Sequence, residues 1–161
     1  MLPWWEVTLR LVAAGVLGGI IGWERETRGK PAGLRTLMLV SLSAAIYVLA
    51  AQGAALRAGE PLDATRAMSG IVQGIGFLGA GVILQSRGEV RWLTTAAALW
   101  AAAALGMAAG LGMYLVAGVG GVLVFGVLRW VVVIEERWLR KPFREAEQKK
   151  GTNGEDAPSA P

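Results

Sequence analysis

The chain has 161 residues, 16 basic and 12 acidic, with 54% hydrophobic residues, 17% charged ones and a mean hydropathy of +0.48. It contains no Cys and no His, which excludes disulfides, thiolate or imidazole metal sites, and Ser-His or Cys-His catalytic pairs. That hydropathy together with 23 glycines excludes an ordinary soluble domain and predicts an integral membrane protein.

The N-terminal segment MLPWWEVTLRLVAAG has neither a basic leading region nor an A-x-A cleavage site, so its apolar run is expected to be a retained helix. A bilayer core about 30 Å thick needs roughly 20 apolar residues in a helix. Five such runs are predicted, at Val7–Trp23, Leu34–Gln52, Ala67–Gln85, Leu93–Ala109 and Met113–Ile134. The first three breaks are charged or polar. The last, Gly110-Leu111-Gly112, is uncharged and fits either a tight hairpin or a kink.

Arg10 lies inside the first run with Glu6 four residues before it, on the same helical face, and reads as a snorkelled surface pair. The same run carries Gly15 with Gly19 and Gly18 with Gly22, the spacing that lets membrane helices approach closely. The third run has Gly70 with Gly74, then Gly76, Gly79 and Gly81. The fourth has an Ala-rich centre and ends with Gly106 and Gly110. These patterns predict a compact core of spans one, three and four.

Lys and Arg distribution sets the orientation. If the loop after the first span is cytoplasmic, thirteen of the 16 basic residues lie inside, leaving Arg10, Arg57 and Arg66 outside. The expected architecture is therefore an all-α membrane protein with five spans, N-terminus outside and C-terminus cytoplasmic. Residues 1–134 form the membrane domain. Residues 135–161 form a basic juxtamembrane segment, with Trp138, Leu139 and Phe143 suited to an anionic lipid surface, and a disordered tail. Lipid lies next to this tail, so its basic charge does not call for nucleic acid.

Three blocks in order, Gly22-Trp23-Glu24-Arg25-Glu26 with Ala32-Gly33-Leu34-Arg35-Thr36, then Gly74-Ile75-Gly76-Phe77-Leu78-Gly79-Ala80-Gly81, then Val90-Arg91 through Leu93-Thr94-Thr95-Ala96-Ala97 to Trp100, resemble the MgtC/SapB family of bacterial inner-membrane proteins. The resemblance covers roughly Leu9 to Leu128. It implies five helices and a link to growth under magnesium limitation, and in some members to survival inside macrophages. The family usually has Gly where this chain has Trp92, often Gln at Gly70 and a small Ser at Gln73. The chain looks like the short form without the virulence branch's soluble C-terminal domain.

Under this topology Glu24, Arg25, Arg35, Thr36, Arg91, Thr94 and Thr95 converge on the cytoplasmic face. Glu24, Arg25, Arg35, Thr94 and Thr95 are expected to form a polar pocket, or else a set of loop ion pairs with an ordinary helix cap made by the threonine hydroxyls. Gln73 is read either as an interhelical hydrogen-bonding group or as part of an ion path. On the outer face Asp63 can cap the third span, pair with Arg66, or give one oxygen to magnesium, which makes it a weak metal candidate. No catalytic or cofactor-binding residue is expected. The functional expectation is a non-enzymatic inner-membrane protein acting on another membrane protein, or as a homo-oligomer, within the lipid bilayer. The alternative is an oligomeric transporter or channel for magnesium or another small ion, although few ionisable groups lie within the spans.

Overall fold

A computed structural model describes residues 2–59, 61, 63–84 and 92–131. The chain divides into two units, residues 1–125 and 126–161. In the first unit, α1 (Trp4–Thr27), α2 (Leu34–Ala58), α3 (Ala64–Leu84) and α4 (Leu93–Gly110) are followed by α5 (Tyr114–Gly126), whose last residue opens the second unit. The described part of that unit is a π-helical turn, Val127–Val131. Five segments, the last running Tyr114–Val131, are long and apolar enough to cross a membrane. The all-helical, five-span expectation therefore holds. The basic juxtamembrane segment, the turn at Ser86–Arg91 and the tail lie outside the described residues.

The helix ends follow from local chemistry. Pro3, with φ −65°, precedes the first turn of α1, where a missing N–H leaves no vacancy in the helical ladder. The helix extends to Thr27 because the charged residues after Trp23 continue it. It stops where Gly29 takes φ +61°, its N–H bonding to the Glu26 carbonyl and the Lys30 N–H to that of Arg25. The same pattern closes α4: Gly112 at φ +78° donates to Ala109, and Met113 to Ala108. The Gly110-Leu111-Gly112 break is thus a tight hairpin, and α5 returns to place Gly120 and Gly121 against Leu105 of α4.

The core is built from α1, α2 and α4, not from spans one, three and four. A methyl group on Gly18 would stand 2.5 Å from the Leu37 carbonyl oxygen, and one on Gly22 2.6 Å from Leu34 Cα, so α1 touches the backbone of α2 directly. From the other side, Gly106 meets the Ser41 backbone and Gly110 comes within 2.9 Å of Ala45 Cα by the same measure. Gly15 and Gly19 make ordinary contacts with Leu42 and Met38. Hence α2 is sandwiched between two glycine faces, presenting Leu37, Ser41, Ala44, Ala45 and Val48, all buried. The sequence pattern missed α2 because its contribution is Ser and Ala set against its partners' glycines.

By contrast α3 packs beside α4, and less extensively beside α2. Gly79 faces the Ala96 methyl at 3.7 Å, while Gly70, Gly74, Gly76 and Gly81 would each carry a methyl into open space. Four of the five glycines singled out on this helix therefore do not pack against any described residue.

Candidate functional site

At the end of the bundle where α1 stops, α2 begins and α4 begins, three polar side chains are buried: Glu24 and Arg25 from α1 and Thr95 from α4. Arg25 Nη2 donates to Thr95 Oγ1 at 2.6 Å, a buried contact between residues 70 apart in sequence. Glu24 turns instead to Arg28, one helical turn on, whose Nε stands 2.6 Å from Glu24 Oε1. That N–H is not aimed at the oxygen, so the contact is one of charge, and both Glu24 oxygens are buried without a hydrogen bond. Glu24 and Arg25 thus take different short-range partners, and swapping their charges would not exchange equivalent positions.

The polar cluster is smaller than expected from sequence. Arg35, Thr36 and Thr94 are exposed, and Arg91 lies outside the described residues. The threonines do not cap α4: its N-cap position is Trp92, which makes no side-chain cap hydrogen bond and holds φ +66°. Thr95 is the third residue of the helix, inside the first turn rather than at the cap, and its hydroxyl accepts from Arg25. Trp100 is 43% exposed on α4.

Glu26 joins the site, and Ser41 makes a further buried polar contact away from it, although neither stands out in the sequence. Glu26 Oε2 accepts the Leu34 N–H at 2.7 Å, so the end of α1 caps the beginning of α2 with a carboxylate at a helix N-terminus. Ser41 Oγ donates to the Ala14 carbonyl at 2.7 Å in the middle of the bundle. The acidic residue eight positions before a helix start was the available signal for the first of these.

At the opposite end, Arg10 is buried rather than snorkelled. Its Nη1 donates to the Gly110 carbonyl at 2.8 Å and to Gln52 Oε1 at 3.2 Å, and its Nη2 pairs with Glu6. The expected Glu6–Arg10 pair exists, but it is part of a junction of α1, α2 and α4. A free carbonyl at the end of a helix is a natural partner for a cation.

The remaining candidates lie on α3. Asp63 Oδ1 accepts the Arg66 N–H at 2.9 Å, and Asp63 Oδ2 lies 3.7 Å from Arg66 Nε, so capping and pairing are both realised at an exposed site. Among the described residues no group of three or more acidic residues is placed to hold a metal ion. Gln73 is exposed. Among the described residues Arg10 and Arg25 join neighbouring helices, while Glu24 pairs with Arg28 one turn on.

Comparison with known proteins bears on this arrangement directly. The profile of the MgtC family matches residues 11–137. Protein MgtC of Salmonella typhimurium is 47% identical over 92 residues, 57% of this chain and 38% of that protein. Protein MgtC of Brucella abortus is 48% identical over 90 residues, 56% and 36% of the two chains. An uncharacterized protein of Synechocystis is 43% identical over 99 residues, 62% and 41%. The chain thus matches about two fifths of the length of these curated relatives. No solved structure matches. With five apolar helices and a family profile spanning most of them, this multi-pass membrane protein belongs to the MgtC family.

Proposed function

We propose that this chain is a non-enzymatic bacterial inner-membrane protein that acts on another membrane protein, or as a homo-oligomer, in adaptation to low magnesium or altered membrane energetics. The observation carrying this reading is the face of α3 bearing Gly70, Gly74 and Gly81, where an added methyl group would meet nothing among the described residues and where Gly70 and Gly74 line an open groove beside α2. Small residues at this spacing let a second helix approach closely within lipid, and among the described residues the spacing is unused.

The charge pattern supports an orientation with the N-terminus outside. Arg25, Arg28, Lys30 and Arg35 cluster at the link between α1 and α2, which the positive-inside rule assigns to the cytoplasm. The Glu24–Arg25–Thr95 cluster then lies at the cytoplasmic end and Arg10 at the outer end. Magnesium enters through family membership, and the modulatory role is consistent with buried charges that are engaged in holding helices together.

The test is reconstitution of the purified protein into liposomes with a magnesium-sensitive dye inside. The expected result is flux no greater than in protein-free liposomes. Robust flux from this protein alone would overturn the modulator reading in favour of a transporter or channel.

A further inference from the structure

Near the Arg10 end, α1 and α2 diverge and leave a groove of about 560 Å³. Its walls are apolar, with Val7 and Leu11 from α1 and Ile46, Leu49 and Leu56 from α2. Two polar side chains also line it, Gln52 and Arg57, and none of the described lining residues is acidic. Gln52 presents its Oε1 to Arg10, so its amide N–H groups are not committed to that contact. Arg57 is exposed at the last turn of α2. Trp4 and Trp5, 79% and 55% exposed, stand at the start of α1 and mark the level where aromatic side chains meet headgroups.

The floor of the groove is open for a physical reason. Gly53 sits in it, and a methyl group built there would meet nothing within 4 Å. A small side chain at this position would therefore meet no steric objection from the described residues, and glycine itself lowers helix stability. The volume falls within the range of a small-ligand pocket, and a few polar groups at one end of an apolar trough are what an amphiphile requires.

We propose that this groove is a binding site for one anionic phospholipid, an acyl chain lying between α1 and α2 and the phosphate beside Arg57 and the Gln52 amide. The charge complementarity is the cation at the mouth without an opposing carboxylate among the described lining residues. Because Gln52 also bears on Arg10, the occupant adjoins the junction that ties α1, α2 and α4 together. The site is independent of which leaflet this end occupies and of the partner proposed above.

The experiment is native mass spectrometry of the full chain in micelles, titrated with phosphatidylglycerol and phosphatidylcholine of identical acyl chains. Retention of phosphatidylglycerol is expected to exceed that of phosphatidylcholine roughly fivefold, the ratio given by about 1 kcal/mol for one Arg near an anionic headgroup. Arg57→Gln should bring the ratio close to one. Gly53→Phe, filling the groove, should remove the retained lipid of both kinds, whereas Gly53→Ala should retain it. Equal retention of both lipids by the unaltered protein identifies an unspecific lipid belt and overturns the proposal, as does a preference that survives Arg57→Gln. Arg57 is exposed, so that variant remains informative even if the bulkier Gly53→Phe fails to fold.

Discussion

Arg25 and Thr95 are hydrogen-bonded at 2.6 Å where α1 ends and α4 begins, while fifteen residues away along each helix Arg10 binds the Gly110 carbonyl at 2.8 Å. In α-helices that spacing is about 22 Å, so one antiparallel pair is gripped at both ends by arginines of the same helix. Between the two grips the glycines of both helices turn to α2, Gly18 and Gly22 from one side and Gly106 and Gly110 from the other. The two arginines tie α1 to α4 directly.

Thr95→Val should therefore be costly. It keeps the shape of the side chain and leaves a buried guanidinium donor without its acceptor, a loss of about 1.5–3 kcal/mol for a hydrogen bond to a charged group. Thr95→Ser should retain most of the stability. The double variant Arg25→Met/Thr95→Val should be less destabilised than Thr95→Val alone, because removing both partners leaves no orphan. Thermal unfolding in detergent measures all three, and a double variant worse than Thr95→Val would refute the pairing account.

The two glycine faces predict opposite responses. An alanine methyl at Gly106 would overlap the Ser41 carbonyl group, with the carbonyl carbon 2.8 Å away, so α2 and α4 would have to separate. Gly106→Ala should destabilise the isolated chain by about 1–3 kcal/mol or more. Gly74→Ala meets nothing and replaces a poor helix former with the best one, so the isolated chain should be unchanged or more stable. If the α3 face receives another helix, Gly74→Leu should weaken co-purification of the partner, or self-association, without lowering the melting temperature. A melting temperature lowered equally by Gly74→Ala and Gly106→Ala would contradict the packing described here.

The sequence disclosed the spans because their signal is simple: long apolar runs interrupted by charge. The small-residue pattern disclosed close packing, but it could not say which faces meet. Gly18, Gly22, Gly106 and Gly110 are used within the chain, whereas Gly70 and Gly74, at the same spacing, meet no described residue. Their difference lies in the partner surface, Leu37 to Val48 of α2, whose small residues look unremarkable when read alone. Arg10 failed for a related reason. Its i, i+4 neighbour Glu6 was visible, while Gln52 and the Gly110 carbonyl are brought to it only by folding. At the other end Glu24, Arg25 and Thr95 were legible as a group, but the assignment of partners within it was not.

Arg10 gives a third prediction. Arg10→Met removes the donor for Gly110 and Gln52 and leaves the partly exposed Glu6 without its cation, so it should cost about 1.5–3 kcal/mol, the range for a hydrogen bond to a charged group. Glu6→Gln should cost much less, since its side chain is 25% exposed and the amide oxygen can still accept from Arg10. Comparable melting curves for Arg10→Met and the unaltered protein would show that the Gly110 carbonyl needs no cap.

The backbone supplies the last prediction. Ala32 holds φ +57° between Pro31 and Gly33, a left-handed conformation in which the Cβ of an L-residue crowds the following carbonyl. Such a residue costs roughly 1 kcal/mol or more, and glycine relieves it at an entropic cost of about 0.5–1 kcal/mol in the unfolded chain. Ala32→Gly should therefore raise stability by about 0.5 kcal/mol. Trp92 holds φ +66° and offers the same relief, but the residue is 37% exposed and so still partly covered, and Trp92→Gly also forfeits the contacts that cover it. The two substitutions should consequently diverge, Ala32→Gly raising the melting temperature and Trp92→Gly leaving it unchanged or lowering it. Equal gains from both would mean that the indole contributes nothing and that backbone strain alone governs the start of α4.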